Sequence, residues 1–447
     1  MKDRLVSRSP TDVIRQSPMS VYQYAIIALC VLSYASDGVD VVTLSYAAPQ
    51  LMKEWGISAG TFGLAYTATP IGIAIGSFFL SPLADRIGRR TLTLWLLGSL
   101  VIMLFLTAVS SSLLMLVTLR LLTGISLGAL VVCLNVTVAE FSNEERSNLL
   151  VGILHTGYSA GGMICGALAA LLLEPMGWQS LFFAAALLSL VSFLLSFFLL
   201  AESPMYLIAR RPSGALERLN TIFRRMNKPQ FDSLPPAPET AKGGKKSKTI
   251  IPRALWFGTG LLCLAGFVFT ISGGFMASWR PKLLDMAHMT MTWNGIAGVC
   301  THGAGVFAHL FVGAIARKVG ERKIAVIFLS GMGIAFTLLG LVPDGAILPL
   351  IVASTLSGFF NVGAFTAIIL VTLNYFEPAV RSAGLGIMLG CSRVGGIVGP
   401  LLGGFAIGAG FGRFWTLFLF AVILLIPIVA ALYARSSAKG EPAAAHG

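Results

Sequence analysis

In the stretch "SYASDGVDVVTLS" (residues 33–45), two aspartates interrupt an apolar run that extends from Val21 to about Pro49. Asp37 and Asp40 are three residues apart, so on a helix they share a face, with side chains about 5–6 Å apart. An ionisable group at the centre of a membrane helix costs at least about 2.5–3.5 kcal/mol on insertion scales. Two neighbouring carboxylates cost more, because like charges in a low dielectric resist ionising together. One of the pair should therefore hold a proton near neutral pH, which is the chemistry of proton coupling. Arg120, in "RLLTGISLG", lies about 12 Å below the outer surface by the helical rise, a depth that overlaps both aspartates. Pairing with Arg120 would keep one carboxylate ionised and leave the other as the carrier; a purely structural ion pair is the alternative.

Arg393, in "SRVGGIVGPLLGG", sits near the middle of another apolar run. Its guanidinium is a planar fork that matches a carboxylate bidentately and can stack on an aromatic face, while a tether within the bundle is the rival role. His302, His309 and His155 also fall within apolar runs. Histidine titrates near neutrality and suits a proton relay, although a helix–helix hydrogen bond accounts for each one equally well. Asn135 and Asn361 carry the same ambiguity.

The elements that must position these groups follow from composition. Of the 447 residues 56% are hydrophobic and 11% charged, against about 25% charged in a soluble protein, so the chain is expected to be an all-α membrane protein. Twelve apolar segments are each long enough to cross a core about 30 Å thick: near 21–49, 58–82, 91–110, 112–141, 147–173, 178–200, 254–284, 292–316, 323–342, 346–376, 380–409 and 412–435. The polar, basic first twenty residues carry no cleavage site, so the first helix is expected to stay. The six cysteines all fall inside spans with spacing that suits neither disulfides nor zinc, and read as buried, inert thiols.

The net charge of +13 is unevenly placed. With a cytoplasmic N-terminus, 26 of the 32 Lys and Arg residues fall in cytoplasmic segments, four (Lys53, Arg280, Lys282, Arg413) outside and two (Arg120, Arg393) in the membrane. That asymmetry is the positive-inside signature, so the basic charge reports topology and not nucleic-acid binding.

The twelve spans divide into two pseudo-symmetric six-helix halves. The expected organisation is an N-terminal half over 1–200, a basic cytoplasmic linker over 201–253, a C-terminal half over 254–436 and a cytoplasmic tail over 437–447. The linker includes "LIARRPSGALERLNTIFRRMNK", which reads as a basic amphipathic helix able to lie on the membrane surface. At an offset of about 233 residues, "SPLADRIGRR" matches "GAIARKVGER", and "EFSNEERSNLLVGI" matches "YFEPAVRSAGLGI" with Arg146 and Arg381 in register. "GYSAGGMICG" then matches "CSRVGGIVGP", which aligns Gly161 with Gly395 and sets Ser159 opposite Arg393. The charge at Arg393 thus belongs to one half only, as a single anionic substrate would require. Parallel six-span repeats describe a transporter whose halves rock around a midplane site. Glycines at 124 and 128, 157 and 161, and 162 and 166 allow the close helix approach this needs.

"SPLADRIGRR" resembles the signature loop of the major facilitator superfamily, with Ser81 in place of its first glycine. The tetrad Asp37-Gly38-Val39-Asp40, with Arg120, Glu140 in "AEF" and Arg393, is similar to the aromatic acid:proton symporter branch. "WRPKLL" (279–284) departs from that branch's more apolar end of span seven. The resemblance implies a proton-coupled importer of benzoate-, hydroxybenzoate- or hydroxyphenylpropionate-like acids. It would be a monomer of the bacterial inner membrane, in contact with lipid, with both termini cytoplasmic. It also implies that Asp85 anchors against the start of span eleven, in a latch with Arg86, Arg89, Glu140, Arg146 and Arg381. Tyr34, Tyr46, Tyr158, Phe359, Phe360 and Phe365 could clasp an aromatic ring, although most of the 29 phenylalanines must serve packing. The substrate-contact set is then Arg393, Arg120, His302, Tyr46, Tyr158, Phe359 and Asn361.

No enzyme motif, phosphate-binding loop or metal-ligand spacing occurs, so no cofactor is expected and an ion gradient must supply the energy. Rival readings are a symporter for a non-aromatic organic anion, a drug/proton antiporter, or a non-transporting membrane sensor of aromatic acids. The antiporter flavour of "GYSAGGMICG" is weakened by the absence of its usual proline.

Overall fold

The computed structural model describes residues 9–234, 251–377 and 380–434. The middle of the expected linker (235–250) and the expected tail (437–447) lie outside the described residues.

Among the described residues, 12 helices are long and apolar enough to cross a membrane, and there are no strands. They are α1 (Val21–Trp55), α2 (Ala59–Ile87), α3 (Arg89–Ala108), α4 (Leu113–Phe141), α5 (Ser147–Met176) and α6 (Trp178–Leu199), followed by α7 (Trp256–Met286), α8 (Met291–Val319), α9 (Glu321–Leu341), α10 (Ile347–Tyr375), α11 (Arg381–Gly408) and α12 (Arg413–Tyr433). The all-helical architecture follows from the solvent, since a backbone crossing lipid must satisfy its own hydrogen bonds.

Local chemistry sets several boundaries. The Ser112 hydroxyl accepts the Met115 amide at 3.3 Å and caps the start of α4. α2 ends through a π-helical turn (Gly76–Leu80) and a tight 3₁₀ turn at Ser81–Leu83, where Pro82 removes a donor. α3 and α9 start from Gly88 (φ 102°) and Gly320 (φ 93°), a backbone region that excludes ordinary side chains. These are the two glycines aligned in the repeated loop motif, so the sequence repeat is also a repeat of backbone geometry.

The chain forms two compact units whose boundaries cut α1, α2, α5 and α6 partway along. Unit one holds the described residues of Met1–Val41, Ile71–Gly162 and Phe182–Lys246; unit two holds those of Val42–Pro70, Met163–Leu181 and Ser247–Gly447. In unit one α1 meets α5 so closely that a methyl group on Gly38 would strike the Tyr158 carbonyl, and one on Gly161 the Ala35 carbonyl. α2 and α4 meet in the same way through Gly72, Gly76 and Gly128. In unit two, Gly395 and Gly399 of α11 lie against the Phe267 and Ile271 carbonyls of α7. Small residues at these crossings let backbones approach within van der Waals range, where lipid offers no hydrophobic drive.

The basic segment after α6 departs from expectation. It forms two helices, Pro204–Arg210 and Ala215–Arg225, whose apolar residues Leu207, Ile208, Leu219, Ile222 and Phe223 are buried in protein and not laid on a membrane surface. They share a cluster with Val13 and Ile14 of a short helix, Pro10–Gln16, and with Phe141 and Leu150. The partner for the apolar face comes from sequence about two hundred residues away, which helical periodicity alone does not reveal.

Candidate functional site

In unit one, α1 and α4 bring Asp40 and Arg120 together. Arg120 Nη1 donates to Asp40 Oδ1 at 2.6 Å, and both side chains are 1% exposed. The guanidinium also donates to Thr107 Oγ1 at 3.0 Å and Thr123 Oγ1 at 3.3 Å, and lies over the Phe182 ring at 5.3 Å. Two polar atoms of the pair, Asp40 Oδ2 and Arg120 Nε, have no hydrogen-bond partner among the described residues. Asp37 lies one turn earlier on α1 and is also buried. A buried charge pair is stable only while both partners remain, since removal of one leaves the other uncompensated.

Tyr34, Tyr158 and His155 group on the neighbouring faces of α1 and α5. Tyr34 meets His155 edge-on at 5.3 Å and Tyr158 at 6.2 Å; both tyrosines are half-buried and His155 is exposed. They form an aromatic surface that the Asp40–Arg120 ion pair does not include.

The loop cluster in unit one is only partly the expected set. Arg89 bridges Asp85 at 2.9 Å and Glu140 at 3.1 Å, and Glu140 accepts a further hydrogen bond from Ser203 Oγ. The Asp85 side chain is 67% exposed, so most of its carboxylate is free of this cluster. Its backbone carbonyl accepts Arg210 Nε at 2.8 Å, and the Arg86 carbonyl accepts the Tyr206 hydroxyl at 3.4 Å. Arg146 stands apart, with its guanidinium on the Tyr24 hydroxyl at 2.5 Å. Arg381 belongs to unit two and donates to the Phe376 carbonyl at 3.3 Å.

Sequence reasoning missed three members of this cluster. Glu202 accepts the amides of Arg90 (3.2 Å) and Ser203 (2.9 Å), placing an acid where α3 exposes the positive end of its dipole. Arg90 donates to the Leu200 and Phe197 carbonyls at 2.8 and 2.7 Å, which satisfies the open end of α6. Ser203 caps the next helix, with Pro204 in its first turn. The "ESP" triplet was the available signal.

In unit two Arg393 projects from the middle of α11, is exposed, and has no hydrogen-bond or ion-pair partner among the described residues. Asn361 of α10 fills the space over Gly273 of α7. Phe359 and Phe360 pack with Phe311 and Phe328, at ring separations of 5.4–6.0 Å, and Phe365 stacks on Phe269 at 6.0 Å. His309 bonds Thr366 at 2.8 Å between α8 and α10. His302 is partly buried, and its Nε2 has no partner among the described residues. Tyr46, expected against the substrate, is fully buried with its hydroxyl near Arg280 and the Asn294 carbonyl. The arrangement can hold anions and protons; no group of three or more metal-ligating side chains occurs among the described residues.

A twelve-helix bundle with a buried carboxylate–arginine pair and a repeated glycine-started loop describes a secondary transporter, and the chain belongs to the Major Facilitator Superfamily, matched over residues 30–345 and 303–447. It is a multi-pass membrane transporter, not an enzyme. It is 31% identical over 413 residues to the "Gallate transporter" of Pseudomonas putida, covering 90% of each chain. It is 28% identical to the "4-hydroxybenzoate transporter PcaK" of Pseudomonas aeruginosa, covering 89% of each, and 24% identical to the "Benzoate transport protein" of Acinetobacter baylyi, covering 94% of this chain and 91% of that one. Its fold matches the crystal structure of a bacterial homologue of the human lysosomal transporter Spinster with a TM-score of 0.72 and 15% identity, over 95% of this chain and 99% of that one.

Proposed function

We propose that this protein imports a small aromatic carboxylate together with protons, by alternating access across the bacterial inner membrane, as a monomer with both termini in the cytoplasm. The observation that carries the reading is Arg393, a guanidinium in the middle of an apolar helix with no partner among the described residues. Such a group demands an anion, and a planar carboxylate fits its fork. Relatives named for gallate, 4-hydroxybenzoate and benzoate support an aromatic acid as the source of that carboxylate.

In this reading Arg120 keeps Asp40 ionised, and Asp37, sharing its face of α1, carries the proton. Protonation of Asp37 neutralises the site when the substrate anion enters, and the loaded protein reorients; loss of the proton inside releases the substrate. In unit two, Arg393 with Asn361 receives the carboxyl end. Asp85, Arg86, Arg89 and Glu140, with Arg146 and Arg381, act on the rate of reorientation and not on binding. The excess of Lys and Arg in the loops on the N-terminal side supports the orientation.

The test is uptake into proteoliposomes across a panel of gallate, 4-hydroxybenzoate, benzoate and non-aromatic carboxylates, with and without an inward proton gradient. Gradient-stimulated accumulation restricted to aromatic acids is expected. Accumulation of a non-aromatic anion alone, or none at all, would overturn the reading.

A further inference from the structure

Arg280 is 5% exposed on α7, yet no carboxylate among the described residues pairs with it. Three other cations in the spans or at their ends do face a carboxylate. Arg120 faces Asp40 at 2.6 Å, Lys282 faces Asp285 at 2.7 Å, and Arg413 faces Asp344 at 3.0 Å. Arg280 has instead one long hydrogen bond, from Nη2 to the Tyr46 hydroxyl at 3.4 Å, and an Nε without an acceptor among the described residues. A guanidinium removed from water with its hydrogen bonds half made is unfavourable unless an anion completes it in some state of the protein.

The surroundings are arranged for that anion. Asn294, Gly298 and His302 follow one another at four-residue spacing, so they line one face of α8. Gly298 leaves the space that the Tyr46 hydroxyl occupies; a methyl there would collide with it and come within 3.3 Å of Arg280 Nη2. Asn294 donates to the Pro281 carbonyl at 2.7 Å, which ties α8 to the residue after Arg280. Its Oδ1, like His302 Nε2, has no partner among the described residues. His302 is close enough to Arg280 for the two to interact electrostatically. Unmatched polar atoms of α7 and α8 thus gather near one cation, and among the described residues the neutral hydroxyl of Tyr46 is its one side-chain ligand.

Depth assigns the direction of approach. Arg280 is twenty-four residues beyond Trp256, about 36 Å along α7 at the helical rise, which exceeds the thickness of a hydrocarbon core of about 30 Å. In the proposed orientation this is the outer boundary, which an incoming anion meets before it reaches the level of Arg393.

We propose that Arg280, with Tyr46 and the Asn294–His302 face of α8, is an outer anion site that takes the substrate carboxylate first, and that the Tyr46 hydroxyl replaces the carboxylate when this end of the protein closes. The inference rests on the aromatic-carboxylate reading and adds to it a second guanidinium on the path.

Two substitutions that break the same hydrogen bond separate binding from scaffolding. Arg280→Met removes the cation; Tyr46→Phe removes only its stand-in ligand. In proteoliposomes of the full chain, with 4-hydroxybenzoate or gallate as probe, Arg280→Met should raise the KM for uptake about tenfold or more, as expected for a lost charge-assisted hydrogen bond. Tyr46→Phe removes the competitor of the carboxylate for the guanidinium and should lower KM. Arg280→Lys keeps the charge without the fork and should fall between wild type and Arg280→Met, which keeps the test decisive if the methionine variant does not fold. Inhibition by uncharged 4-hydroxybenzamide should not respond to either Arg280 substitution. Equal KM increases in Arg280→Met and Tyr46→Phe, or none in any Arg280 variant, would overturn the outer site while leaving the transport function in place. A wild-type protein that carries neither acid would overturn the functional reading, and this inference with it.

Discussion

Arg120 and Arg393 place the same side chain in opposite circumstances, and the difference decides what each can do. Arg120 is enclosed, with Asp40 at 2.6 Å on Nη1 and two threonine hydroxyls accepting from Nη2. Arg393 is exposed and has no hydrogen-bond or ion-pair partner among the described residues. A group that must bind and release an anion in each cycle cannot already be neutralised, so the proposed function assigns the substrate carboxylate to Arg393. Arg393→Lys keeps the charge but loses the two-pronged geometry, and equilibrium binding of 4-hydroxybenzoate should weaken about tenfold, the worth of roughly 1.4 kcal/mol. Arg393→Ala should bind far more weakly still, and wild-type affinity in that variant would exclude the assignment. The Asp–Arg pairing was legible in the sequence because helical rise alone puts Arg120 at the depth of the two aspartates. Which aspartate would pair was not, since Asp37 and Asp40 share one face and only the rotation of α4 against α1 separates them. Arg280 escaped notice for a related reason: a cation near the end of a span reads as a loop residue until a neighbouring helix covers it.

At the scale of elements, the repeat accounts for much of what the sequence could show. Gly88 and Gly320 start α3 and α9 with the same positive φ, and Gly161 and Gly395, aligned by the repeat, each lie under a carbonyl of the facing helix. Glycine patterns of this kind are readable because the constraint is steric and local. The amphipathic character of the segment after α6 was readable, but its partner was not, since the apolar residues of the Pro10–Gln16, Pro204–Arg210 and Ala215–Arg225 helices pack in one cluster with Phe141 and Leu150. These helices hold the loop between α2 and α3 through its backbone, by Arg210 to the Asp85 carbonyl and Tyr206 to the Arg86 carbonyl. The Asp85 carboxylate is spared that duty. Its ion pair with Arg89 is two-thirds exposed on the acid side, and such pairs contribute only about 0–1 kcal/mol to stability. Asp85→Asn should therefore fold normally and bind substrate within about twofold of wild type, while turnover falls about tenfold or more, as for a barrier raised by roughly 1.4 kcal/mol. Binding in detergent and initial rates in proteoliposomes measure the two separately. Lost binding with a normal rate of reorientation would remove Asp85 from the latch.

On the proposed function the whole molecule converts a proton gradient into a substrate gradient, and the distribution of its charges suits that task. Basic residues crowd the loops of one side, while the spans keep only a few ionisable groups, each with a separable task. If Asp37 alone carries the proton and Arg120 holds Asp40 ionised, one proton accompanies one carboxylate and the loaded site gains no net charge. Transport is then electroneutral. A difference of one pH unit is worth about 1.36 kcal/mol, which supports roughly tenfold accumulation of the acid. An imposed membrane potential without a pH difference should drive none. Asp37→Asn makes the site permanently neutral at that position, so accumulation driven by a pH gradient should disappear. Exchange of substrate across the membrane needs no net proton movement and should persist. Asp40→Asn is different in kind, because it strips Arg120 of its counter-charge in a site that is 1% exposed, and removal of one partner from a buried pair costs about 3–5 kcal/mol. That variant should lose both activities, and with them thermal stability. Paired measurements of gradient-driven uptake and counterflow in the same proteoliposomes read out the contrast. If Asp37→Asn still accumulates substrate tenfold per pH unit, the proton travels on another group and the division of labour between the two aspartates is wrong.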